Sequence, residues 1–515
     1  MFKRHVTGLA LCCCGLLAAD SPLWGEGKEN VWDPNVVRQT GQASAVFPSP
    51  SKIYDFAVRD FDRDGEDEVA AIRSGNDYPF AIYIKEILSD NYTYSPLPIR
   101  IHNKSLSLFP LDPHPFYRFL TYRIAADSAF FDLYNYRLQR MDSLSTLLGH
   151  DQTGTGYWNG SLVHVHMVDL NHDGKEDLLA LFNTASDGQP RALLGYDLQS
   201  KKKILDIRMA PMAIKSCVVD LQKDGHPEIL IAMAGASDGP FFGPFSRDSS
   251  YLALFDTQGE LLFKKAFGSV SSYVDFAVGD LDGDQIIDIV ATSSHMVNEN
   301  RQNARLVVLD GKDLAEKASI DGPLPVYFIL PKLCDTNQDR CAELYVSVSS
   351  DRLHRYELRT DEPGLALAST TVVKDSPRVE QFNDLDGDGI PELLVSSRQP
   401  RRLWFVNNNL VPLAYVQLAG QDEIFRLANT SYSTRNEWRY LLIDEQNLLQ
   451  IKVPFKHLWP DPDIQLRWQE DTVTLSWRRG IVYVVLLTSA VAVLVLGLFY
   501  RARSEERRVG KECRT

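Results

Sequence analysis

One plan recurs six times along this chain: a strand-like apolar run, a loop of alternating acids, then a second β-rich run. The segments are DFAVRDFDRDGEDEVAAI from Asp55, HMVDLNHDGKEDLLALF from His166, CVVDLQKDGHPEILIAM from Cys217, DFAVGDLDGDQIIDIVA from Asp275, LCDTNQDRCAELYVSVS from Leu333 and FNDLDGDGIPELLVSS from Phe382. Their leading aspartates are separated by 109, 51, 60, 55 and 49 residues. The first gap spans two periods, and FPLDPHPFYRFLTYRI fills it with a degenerate unit that keeps Asp112 and loses the loop acids. LANTSYSTRNEWRYLLI, with Asn429 in register, supplies another. A period near 50 residues is that of propeller blades and long for a solenoid. The runs after the loops are apolar for four to six residues, as in Glu68–Ile72, which suits buried strands, and no sustained 3.6-residue period lies between the chain ends. The expected fold is all-β, a β-propeller of seven or eight blades over residues 30–470.

The loops read Asp-x-[Asp/Asn/Gln]-x-Asp-[Gly]-x-x-[Asp/Glu], which presents oxygen ligands from alternate residues to a hard cation, and calcium takes six to eight of them. Counting the leading aspartate as position 1, positions 1, 3, 5 and 9 offer side chains and position 7 its backbone carbonyl. The candidate metal residues are Asp60, Asp62, Asp64, Glu66 and Glu68 in the first loop, and Asp169, Asn171, Asp173, Lys175 and Asp177 in the second. Asp220, Gln222, Asp224, His226 and Glu228 form the third, and Asp280, Asp282, Asp284, Ile286 and Asp288 the fourth. Asp335, Asn337, Asp339, Cys341 and Glu343 form the fifth, and Asp384, Asp386, Asp388, Ile390 and Glu392 the sixth. Glycine at position 6 admits a sharp turn. Gln285 and Arg340 replace it in the fourth and fifth loops, and Arg340 puts a cation beside the weakest candidate. Cys334 and Cys341 flank that loop, either as a disulfide or as two separate thiols. An EF-hand is excluded, because position 12 is Ala71, Ala180 or Val395 inside an apolar strand run rather than a bidentate Glu before a helix.

These units resemble FG-GAP/VCBS repeats, as found in the β-propeller of integrin alpha subunits and in bacterial surface proteins, over roughly residues 50–440. The resemblance implies calcium held in hairpin loops on one propeller face, mainly as a structural staple.

No other constellation competes. His164, His166 and His226 lack the spaced partners of a zinc site, and there is no G-x-S-x-G, H-E-x-x-H or phosphate-cradling loop. The chain is therefore read as having no catalytic residues. Phe241, Phe242 and Phe245 sit on an insertion in the fourth unit, as either a partner-binding tip or packing over the propeller. Asn91, Asn103, Asn159 and Asn429 lie in glycosylation sequons. With 54 Lys plus Arg against 68 Asp plus Glu, the formal charge is −14, which argues against nucleic-acid binding.

Both ends carry addressing signals. Residues 1–19 read as a signal peptide, with Lys3 and Arg4 before the apolar Val6–Leu17 and small residues before Asp20. Ile481–Tyr500 has twenty residues and no charge, enough at 1.5 Å per residue to span a bilayer core. Arg501, Arg503, Arg507, Arg508 and Lys511 follow it, so residues 501–515 are expected as a cytoplasmic tail and the propeller outside. The stretch RSEERRVGKECR in that tail resembles a translated adapter sequence, the other reading being a genuine basic tail.

The functional expectation is a single-pass membrane protein whose calcium-binding extracytoplasmic propeller recognises a protein or carbohydrate ligand, in adhesion or surface binding. The alternative is the sensory ectodomain of a truncated signalling receptor such as a histidine kinase.

Overall fold

The computed structural model describes residues 30–32, 38–39, 42–46, 53–73, 81–86, 92–96, 108–111, 117–125, 128–147, 160–184, 191–235, 244–268, 272–295, 304–322, 328–349, 351–359, 364–373, 376–385, 388–398, 401–418, 427–429, 437–444 and 447–454. The segments assigned from sequence to a signal, a membrane helix and a tail lie outside the described residues, as do Asp112, Phe241, Phe242, Asn91, Asn103, Asn159 and Asp386. Among the described residues no helix is long and apolar enough to cross a membrane.

Every described element is a strand, and the strands form eight sheets with antiparallel up-and-down order. Each sequence unit makes one sheet, numbered here as blades 1 to 8 in chain order. Blade 1 starts with Ile53–Arg59, blade 2 with Leu108–Pro110, blade 3 with Gly160–Val168 and blade 4 with Met212–Val219. Blade 5 starts with Ser272–Gly279, blade 6 with Phe328–Cys334, blade 7 with Arg378–Asn383 and blade 8 with Leu427–Asn429. The two degenerate units thus fold as blades 2 and 8. First strands of successive blades approach one another, those of blades 3 and 4 and of blades 4 and 5 among them, which makes them the innermost strands of a ring. The chain start closes that ring: Gln42–Ala45 pairs antiparallel with Asn447–Pro454 as the fourth strand of blade 8. Two further short strands, Asn30–Val31 and Arg38–Gln39, add in parallel to the outer edges of blades 6 and 7.

The continuous apolar runs are explained by this arrangement. Side chains alternate faces along a strand, and the second strand of a blade has another blade on both sides. In blade 3, Leu178, Ala180 and Phe182 pack with blade 2, while Leu179 and Leu181 pack with blade 4. In blade 1, Val69 and Ala71 face blade 8, and Ala70 and Ile72 face blade 2. Each such Val, Leu, Ile or Phe side chain contributes roughly 1.5–3 kcal/mol by leaving water, and each alanine less. The outermost strands show the opposite pattern; Leu261–Gly268 alternates half-buried and exposed positions. Phe245 is buried, packing on Tyr251 and Phe255, so this part of the insertion covers the blade.

Candidate functional site

The six acidic loops all join the first and second strands of their blades, namely blades 1, 3, 4, 5, 6 and 7. They share one internal build. The position-1 carboxylate accepts the amide of position 6: Gly65 to Asp60 at 2.9 Å, Gly174 to Asp169 and Gly225 to Asp220 at 2.8 Å, Gln285 to Asp280 at 2.8 Å, Arg340 to Asp335 at 3.0 Å and Gly389 to Asp384 at 2.9 Å. The position-5 carboxylate accepts the amide of position 7, at 2.9 Å for Glu66 onto Asp64, Lys175 onto Asp173 and His226 onto Asp224. Ile286 onto Asp284, Cys341 onto Asp339 and Ile390 onto Asp388 repeat this at 2.8, 2.8 and 2.7 Å. The position-9 carboxylate reaches back to the amide of position 2: Glu68 to Phe61, Asp177 to Leu170, Glu228 to Leu221, Asp288 to Leu281, Glu343 to Thr336 and Glu392 to Leu385.

Position 6 is left-handed in all six loops. Gly65, Gly174, Gly225 and Gly389 take φ of 98°, 81°, 85° and 88°, whereas Gln285 and Arg340 are forced to 72° and 75°. Position 4 is left-handed as well, at Arg63, His172, Lys223, Gly283 and Gln338. In the fourth loop the glycine falls at position 4, as Gly283, so Gln285 carries the position-6 left-handed turn without one. Position 12 lies within a strand at Ala71, Ala180 and Val395, as the rejection of an EF-hand requires.

The donor set suits a hard cation. Asp60, Asp62 and Glu68 each offer an oxygen within 4.8 Å of the others, and so do Asp280, Asp282 and Asp284. A carboxylate has about four lone-pair sites, so one or two amide bonds leave each acid with capacity to spare. Electrostatics in the first three loops points the same way. Burial, reinforced by Asp62, Asp64 and Asp60, pushes Glu68 up to about 7. Burial and then Asp197, Asp173 and Asp169 push Asp177 up to about 6. Glu228 is raised by burial and by Asp220 and Asp224. Added positive charge would relieve all three.

Among the described residues, Lys317 and Arg355 each bring a basic side chain from another strand to a loop's carboxylates. Lys317 places its Nζ 2.8 Å from both Asp282 and Asp288 in the fourth loop. Although burial acts against it, that bond holds Asp282 below the ordinary carboxylate range. In the fifth loop Arg355 lies 3.3 Å from Glu343. Cys334 and Cys341 are free thiols rather than a disulfide, each pushed up to about 11, chiefly by burial.

Neighbouring loops are stitched together. Ile287 of the fourth donates to the Leu221 carbonyl of the third at 3.0 Å, and Ala342 of the fifth donates to Asp280 of the fourth at 2.7 Å. A cavity of about 350 Å³ opens beside the first loop, lined by Asp62, Glu68, Tyr136 and Arg137 among others.

A row of polar residues on the inner strands is not apparent as a set from the loop spacing. The residue five before the leading aspartate is Asp55, His164, Lys215 or Asp275 on the inner strands of blades 1, 3, 4 and 5. Lys215 pairs with Asp275 at 2.8 Å across blades 4 and 5. His164 Nδ1 lies 2.8 Å from the Ser216 carbonyl oxygen and 3.1 Å from the Ser216 amide, and His166 Nε2 lies 3.0 Å from Ser216 Oγ. Burial, then His164, lowers His166 to about 4. A polar residue recurring inside otherwise apolar runs was the available signal. The histidines are packed and hydrogen-bonded rather than grouped as a zinc site.

The fold and loops define a β-propeller with acidic first hairpins. No protein-family model and no curated protein matches the chain. Among solved structures it is similar to Sqt1 of Saccharomyces cerevisiae, at a TM-score of 0.51 and 9% identity over 81% of this chain and 100% of that one. BBS1N in complex with ARL6DN matches at 0.40 and 11%, covering 81% and 98% of the two chains. The V. cholerae biofilm matrix protein Bap1 matches at 0.36 and 10%, covering 83% and 90%. At these identities the likeness to Sqt1 shows the propeller fold and nothing finer.

Proposed function

We propose that this chain is a calcium-stabilised propeller of the FG-GAP/VCBS type, held at the outer side of a membrane and acting in recognition of a protein or carbohydrate rather than in catalysis. The observation that carries the calcium reading is the common build of the six loops, in which positions 1, 5 and 9 turn their carboxylates onto the loop's own amides. Asp60, Asp62, Asp64 and Glu68 would hold the ion in blade 1, with Asp169, Asn171, Asp173 and Asp177 in blade 3. Asp220, Gln222, Asp224 and Glu228 would do so in blade 4, and Asp384, Asp386, Asp388 and Glu392 in blade 7. The bound ion would neutralise clustered carboxylates and pin the loops, leaving the propeller face rigid for contact. Affinities like those of extracellular modules, about 10⁻⁴–10⁻³ M, need the calcium supply found outside the cytoplasm. The sequence of Ile481–Tyr500 and the basic residues after it support that orientation.

Protease added to intact cells, or to spheroplasts where an outer membrane intervenes, tests the reading. An epitope within the propeller should be degraded, faster after chelation, and one placed after Tyr500 should be spared. Protection of the propeller epitope would refute the placement, and cleavage indifferent to chelator would refute the role of calcium.

A further inference from the structure

Lys317 lies on the outer strand of blade 5, Glu316–Gly322, 35 residues from Asp282 in sequence. Its side chain is mostly buried, and its ammonium meets four carboxylates: Asp282 and Asp288 at 2.8 Å, Asp310 at 3.3 Å and Asp284 at 4.0 Å. Asp288 is fully buried and accepts amides from Leu281 and Gly311, both at 3.4 Å. A buried carboxylate is costly unless paired, and here the pairing comes from within the blade. Positions 3, 5 and 9 of the fourth loop, which the spacing nominates for an ion, are the groups gathered around Lys317.

We infer that Lys317 is the built-in cation of the fourth loop and excludes a metal ion from it. A divalent ion among Asp282, Asp284 and Asp288 would sit within a few ångströms of the ammonium, and like charges at that separation repel strongly where solvent is scarce. The fifth loop carries the same device in weaker form, since Arg355 bonds Glu343 at 3.3 Å and Glu357 at 2.6 Å. Blades 5 and 6 therefore keep their loops ordered without calcium, and through the Ile287–Leu221 and Ala342–Asp280 backbone bonds they brace their neighbours. The six loops divide into ion-receiving loops in blades 1, 3, 4 and 7 and self-neutralised loops in blades 5 and 6. This division rests on the calcium reading of the former group, whereas the counter-ion role of Lys317 does not.

Three measurements on the full chain test it. Equilibrium dialysis with calcium should give one more bound ion per chain for Lys317→Met than for wild type, while Lys317→Arg keeps the wild-type number. In chelator, Lys317→Met should melt several degrees below wild type, and calcium should restore most of the difference. Amide exchange on wild type needs no variant: removing calcium should speed exchange at least tenfold in residues 60–68 and 169–177 and change 280–288 by less than twofold. Unchanged ion number together with a wild-type melting point in chelator would overturn the role of Lys317. A fourth loop that exchanges as fast as the first after chelation would overturn it too. Loss of all calcium binding in wild type with a persisting Lys317→Met defect would instead sink only the calcium reading.

Discussion

Positions 1 and 3 of the first loop do different work, and two substitutions separate them. Asp60 accepts the amides of Asp64 at 3.0 Å and Gly65 at 2.9 Å, so it shapes the turn whether or not an ion is present. Among the described residues Asp62 accepts the Asp64 amide, at 3.2 Å, and Asp60 already engages that donor. Hydrogen bonds to charged acceptors at an exposed site are worth about 1–1.5 kcal/mol each. In chelator, Asp60→Ala should therefore cost about 2–3 kcal/mol and Asp62→Ala at most about 0.5 kcal/mol. With calcium at about 100 times its dissociation constant, one site adds about 2.7 kcal/mol, and both variants lose it. Unfolding entropy near 2 cal/mol/K per residue over roughly 400 residues converts that to about 3 °C per site. Melting followed by circular dichroism, in about 10 mM calcium and again in excess chelator, reads both conditions. Asp62→Ala should match wild type in chelator and fall about 3 °C below it in calcium. An equal deficit in both conditions would show that Asp62 is structural and no ligand, and no deficit in either would remove the site altogether.

Three other outcomes follow from the geometry. In chelator the raised carboxyls of Glu68, about 7, and Asp177, about 6, contribute stability that is complete below their unfolded values near 4 and is lost as pH rises through 6 to 7; melting temperature should fall from pH 5 to 8, calcium should flatten the slope, and a rise over that window would contradict the assignment. Arg340→Gly relieves a left-handed φ of 75° and should stabilise by about 1 kcal/mol in denaturant titration, with a loss showing that the Arg340 side chain outweighs the strain. Phe182→Ala empties a fully buried position whose ring lies 5.7 Å from Tyr122 of blade 2 and should cost about 3–5 kcal/mol, a loss under 1 kcal/mol arguing against the blade interface described.

The repeat was legible because position 9 and the run after it serve two demands at once. Glu68 must reach back to Phe61, and Val69 to Ile72 must face blades on both sides, so acid spacing and apolar run recur together. Even the degenerate units were locatable, since Phe119–Ala125 and Glu437–Asp444 keep their strands after losing the loop acids. The spacing showed the acids and the local Arg340 but not the counter-charges that arrive from other strands. Lys317 lies 35 residues past Asp282, and Arg355 lies 12 past Glu343. The ring closure by Gln42–Ala45 has no local signal either, because an edge strand of four residues shows its pairing only when the last blade is built. Gln285 in place of glycine did not abolish the turn, because it takes the same left-handed conformation at φ 72°.

The number of calcium ions bound per chain tests the account most directly. Equilibrium dialysis of the full chain against calcium, at concentrations up to several millimolar, should saturate at about four ions, one for each loop of blades 1, 3, 4 and 7. Magnesium at equal concentration should displace few of them, because it demands a smaller octahedral shell. Saturation at six would contradict the division between ion-receiving and self-neutralised loops. No bound calcium at all would contradict the central claim that these carboxylates are arranged for an ion.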